Sequence, residues 1–141
     1  MMAGRFYLKN YANWQISYFL LTDKNDTKRI LKALDRLHCG PIFRYRAKKL
    51  LLSDKPNIGL AYSNKRRRES IIVVSETTNV WEFFNSFAHE IDHIEKHIAK
   101  TLGFSPYSET ASYSVGEIVM NIFYKIFKNV ICKKEMYYLA R

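Results

Sequence analysis

Five consecutive residues carry the chemistry of this chain: His89-Glu90-Ile91-Asp92-His93, the pattern H-E-x-x-H. On a helix, residues four apart lie one turn apart on the same face, so two imidazoles can bind one zinc ion. The Glu between them sits beside such an ion and can take a proton from water there. His89 and His93 are therefore candidate zinc ligands and Glu90 a candidate general base. A catalytic zinc needs a third protein ligand and one open position. His97 continues the series by four, but three ligands on successive turns span about 12 Å and do not converge on one ion. It reads as a surface residue. His38 closes an earlier helix and ranks low, while Glu109 and Glu117 are the better candidates.

These residues must be positioned by a helix. Val80, Phe84, Phe87, Ile91, Ile94 and Ile98 repeat by four and three and form one apolar stripe. The helix starts near Asn79, with Glu82 three residues on as a capping-box partner, and stops at Gly103. At about 100° per residue, His89 and His93 face away from the stripe, on a side with Ser86, Lys96 and Lys100. A second long helix is expected from Ser105-Pro106, an N-cap followed by proline, through Ile118, Val119, Ile122, Phe123, Ile126 and Val130.

Upstream, Phe6–Leu8 and Gln15–Leu21 read as strands. Asn25 or Asp26 caps a helix carrying Ile30, Leu31, Leu34 and Leu37, which Gly40-Pro41 stops. A further short helix is expected between Pro41 and Ser53. Leu60–Ser63 and Ser70–Ser75 read as strands joined by the turn Lys65-Arg66-Arg67-Arg68, and Ile71–Val74, apolar on both faces, suits a central strand. Strands first and paired helices last argue for an α+β domain, a small antiparallel or mixed sheet with the H-E-x-x-H helix and a second long C-terminal helix.

The 141 residues suit one domain, 1–141, long enough to bury a core. Apolar residues make up 48%, which excludes a disordered chain, and two cysteines are too few for a disulfide framework or a Cys-based zinc site. The N-terminus lacks a signal-peptide apolar stretch, and Asn121, Lys125 and Lys128 interrupt the most apolar late segment, so no membrane partner or span is expected and the location reads as cytoplasmic. The net charge of +10, concentrated at Lys65–Arg68 and at Arg44, Arg46, Lys48 and Lys49, favours weak binding of nucleic acid on any reading.

The stretch from Ser70 to Phe127 resembles the gluzincin metallopeptidases, in which HExxH is followed by a Glu ligand on the next helix. It is most similar to the minigluzincins and the related ImmA/IrrE-like proteins, on HExxH and on Glu109-x-Ala111-x-Tyr113-x-x-Gly116. The resemblance implies a peptidase with His89, His93 and Glu109 as Zn2+ ligands, Glu90 as base and acid acting on zinc-bound water, and an edge strand that holds an extended peptide substrate. A tight hairpin would instead bring Glu117 nearer to His93. Gly116 argues for a close helix crossing that turns Glu109, Tyr113 and Gly116 toward the first helix. Tyr113 or Tyr107 is a candidate oxyanion donor. The alternative is a latent or inactive zinc-bearing binding module acting on a partner protein or nucleic acid, with the tail Lys133–Arg141 long enough to cover the site.

Overall fold

The computed structural model describes residues 1–130. Ile131, Cys132 and the tail from Lys133 to Arg141 lie outside the described residues, as do the side chains of Asn129 and Val130. Strands β1 (Met2–Leu8) and β2 (Trp14–Thr22) lead through a short 3-10 turn (Lys24–Asp26) into α1 (Thr27–Arg36) and α2 (Pro41–Leu51). Strands β3 (Gly59–Asn64) and β4 (Glu69–Ser75) follow, then the long helices α3 (Val80–Leu102) and α4 (Glu109–Val130). The fold is α+β, as expected.

The sheet runs β1-β2-β4-β3 and is mixed. β1 pairs antiparallel with β2, β2 parallel with β4, and β4 antiparallel with β3. β4 is central, and its Ile71–Val74 run is buried on both faces. Ile72 and Val74 join Trp14, Ile16 and Leu20 under α3 and α4. Ile71 and Val73 join Phe19 under α1 and α2. An unbroken apolar run is what a strand covered on both sides requires.

Several local expectations change. The capping hydrogen bonds belong to the preceding 3-10 turn and its N-cap Asp23, whose carboxylate accepts from the Asn25 N–H at 2.8 Å while the Asp26 carboxylate accepts from the Asp23 N–H at 2.9 Å. Asp26 does stand at the N-cap position of α1, as expected, but its side chain makes no cap there, and Asn25 lies inside the 3-10 turn. Pro41 does not stop α1. It is the first residue of α2, where its missing N–H costs nothing, and Gly40 at φ 81° makes the turn between the two helices. On α3, Phe87, Ile91, Ile94 and Ile98 are buried, but the first turn of the stripe is not. Val80 is exposed, and Phe84 is partly so, stacked on Phe123 of α4 with ring centroids 5.7 Å apart.

Candidate metal centre

Helix α3 is fixed at both ends and along one face. Asn79 Oδ1 accepts from the Glu82 N–H at 2.9 Å, and Gly103, left-handed at φ 81°, ends the helix. Burial of Phe87, Ile91, Ile94 and Ile98 against the sheet then sets the rotation of the helix. His89 and His93 point outward and are exposed. Their Nε2 atoms lie 3.1 Å apart with the rings near perpendicular at 85°. Two nitrogens held tetrahedrally on one zinc at about 2.0–2.1 Å would be about 3.3 Å apart, so the pair fits a shared ion with little adjustment. Without an ion, the same spacing is a hydrogen bond in which one imidazole donates and the other accepts.

Strand β3, at the sheet edge, runs alongside α3. Ser86 Oγ donates to the Asn57 carbonyl at 3.4 Å at one end, and Ser63 Oγ meets His97 Nδ1 at 2.6 Å at the other. Between them Glu90 is 6% exposed, and a Cβ on Gly59 would lie 2.5 Å from its Oε1. Burial pushes the Glu90 carboxyl above the usual carboxylate range, with His89 acting the other way as the lesser cause.

His97 is not the surface residue its spacing suggested. It is half-buried and ends a polar chain. Trp14 Nε1 donates to Ser70 Oγ at 2.8 Å, Ser70 and Ser63 hydroxyls are 2.6 Å apart, and Ser63 reaches His97. Indole can only donate, so the run is satisfied when Ser70 donates to Ser63 and Ser63 to a neutral His97. Burial first, then Lys65 and His93, holds the His97 pKa below its ordinary value, in keeping with that neutral form.

The second long helix begins later than Ser105. Ser105 Oγ accepts only from Tyr107 N–H in a turn, and Ser108 Oγ caps the helix by accepting from the Ala111 N–H at 3.2 Å. The face that α4 buries carries Ala111, Ser114, Ile118 and Ile122. Glu109 and Tyr113 are therefore exposed, Tyr113 to 68%, and Tyr107 is exposed as well. The close crossing expected at Gly116 is absent, since a Cβ there would meet open space. Glu117 is occupied by the β1–β2 turn, accepting from Asn10 Nδ2 at 2.9 Å. It shares a hollow with Tyr11, Thr110 and Tyr113 that includes neither zinc-binding candidate of α3. Among the described residues, no three His, Cys, Asp or Glu side chains stand together so as to hold a metal. His89, Glu90 and His93 are thus brought together, whereas Glu109, Glu117 and Tyr113 are not brought to them.

Glu95 is a residue that spacing did not flag. It is 4% exposed, and its Oε1 has no hydrogen-bond partner among the described residues. Burial, followed by Asp92, raises its pKa. Its position beside Ile91 and Ile98 was the available signal.

No protein family model, curated protein or solved structure matches this chain. Among the described residues, no helix is long and apolar enough to cross a membrane.

Proposed function

We propose that the chain is a zinc-dependent peptidase acting in the cytoplasm, with His89 and His93 holding the ion and Glu90 serving as general base. The observation that carries this reading is the 3.1 Å approach of the two Nε2 atoms on the exposed face of α3, with a buried carboxylate at the next residue. Zinc bound there would supply Lewis-acid polarisation of the scissile carbonyl.

Glu90 accepts a proton from the attacking water and returns it to the leaving amine. The wall formed by β3 shields its carboxylate from bulk solvent. An extended peptide pairs with the outer edge of β3, which lies along α3 and has a sheet partner on one side only. Strand β4 is paired on both sides and cannot take this role. Glu109 is the proposed third donor, and metal binding would have to draw it from its exposed place on α4 to His89 and His93. Glu109 makes no hydrogen bond or ion pair among the described residues, whereas Glu117 is already engaged.

The test is metal content. Protein purified without chelator should carry about one zinc per chain, as a three-ligand catalytic site would hold. His89→Ala and His93→Ala should lose it. Zinc-free wild-type protein that takes up none on dialysis would defeat the reading.

A further inference from the structure

We infer that the face of the sheet opposite α3 binds single-stranded nucleic acid in a cationic groove between β1 and α1. Two adjoining hollows, of about 350 and 180 Å3, share Arg5, Ser17, Ala33 and Arg36 in their walls. Arg29 and Lys32 line the first and Arg67 the second. All five cations are exposed. The single acidic lining residue, Glu69, lies 3.6 Å from Arg67.

The groove is built rather than incidental. Arg29 lies over the Phe19 ring, 5.9 Å from its centroid. Arg67 Nη1 donates to the Arg36 carbonyl at 2.6 Å, which ties the basic turn to the end of α1. The floor is the part of the sheet that α1 and α2 leave uncovered. In the strand register, Arg5 pairs with Ser17 and Tyr7 with Gln15, so Tyr7 stands on the same face one row along. Tyr7 is 55% exposed.

A line of guanidinium and ammonium groups beside an open aromatic ring is what a single strand needs: cations follow the phosphates and a base stacks on the ring. A duplex, whose bases are already stacked on one another, would leave Tyr7 without a base to stack on. An acidic peptide would use the cations but leave Tyr7 without a role. This surface is independent of the zinc reading.

The experiment is fluorescence anisotropy of the full chain with a labelled oligo-uridine of about 12 nucleotides, titrated with salt. Arg29→Gln/Lys32→Gln/Arg36→Gln should weaken binding about tenfold or more and reduce the salt slope by about 2, since each phosphate contact contributes about 0.7. Tyr7→Ala should weaken it by about fivefold or more, while Tyr7→Phe keeps it. Arg46→Gln/Lys48→Gln/Lys49→Gln removes the same charge from α2 and should change affinity far less. If the groove triple does not fold by circular dichroism, Arg5→Gln and Lys32→Gln singly take its place. Equal losses from the α2 and groove triples would overturn the proposal, leaving only net-charge attraction. Tighter binding of poly-glutamate, of anionic phospholipid vesicles or of a duplex would also overturn it.

Discussion

Glu90 occupies the space that a side chain on Gly59 would fill. A Cβ at position 59 would stand 2.5 Å from Glu90 Oε1 and 3.0 Å from its carboxyl carbon. The edge strand therefore opens on glycine because the proposed base lies against its backbone. Glu90 is buried, so its carboxylate has little room to retreat. Gly59→Ala should displace it and slow peptide hydrolysis by up to about a hundredfold, the scale of a 1 Å misplacement, with zinc retained. Unchanged turnover in a folded Gly59→Ala protein would show that this contact does not position the base.

The two α4 carboxylates should differ in their effect on metal. Glu109→Gln is expected to weaken zinc retention against a chelator. Glu117→Gln should leave zinc in place and loosen only the contact to Asn10, worth about 0.5–1.5 kcal/mol at most at this exposed position. The reverse order in a competition titration would assign the third donor to Glu117.

His97 should give stability a pH dependence of known sign. Its folded pKa is lowered from 6.5 by burial. The neutral form is favoured in the fold, so the unfolded chain binds the proton first as pH falls. Stability from this group is full above the unfolded pKa and is lost as pH drops through it toward the folded value. Denaturant melts of metal-free protein should show this loss, and His97→Asn should reduce it. An unchanged slope in the variant would mean that His97 does not titrate on unfolding.

Glu95 should be a site of stored instability. The Glu95 Oε1 has no partner among the described residues, and a buried carboxylate oxygen left so costs about 1–3 kcal/mol. Glu95→Met, of similar length and apolar, should raise stability by a comparable amount at neutral pH. A lower melting temperature would mean that the carboxylate has a partner in solution.

Much of the architecture is legible in sequence because it rests on period and punctuation. Ile71–Val74 reads as a central strand, Asn79 and Gly103 bracket the H-E-x-x-H helix, and the Phe87–Ile98 stripe turns His89 and His93 outward. The third-donor expectation rested on motif similarity instead of helical phase. Counting at about 100° per residue from Ile118 puts Glu109 about 180°, Gly116 about 160° and Tyr113 about 140° round the helix. Ala111 and Ser114 continue the buried face, but small side chains give no hydrophobic signal. Glu90 and Glu95 each sit about 70° from the stripe's centre, on opposite sides, so burial there depends on what packs alongside. Neither Gly59 nor Ser63 announces in sequence that β3 will lie against that flank.

The central claim is best tested by peptide hydrolysis in wild-type protein and Glu90→Gln, both loaded with zinc and assayed against a broad peptide library. The variant keeps size and polarity but cannot accept the proton. The account predicts that it folds, retains zinc and loses about 10²–10⁴ in rate. Equal hydrolysis by the two proteins would contradict it.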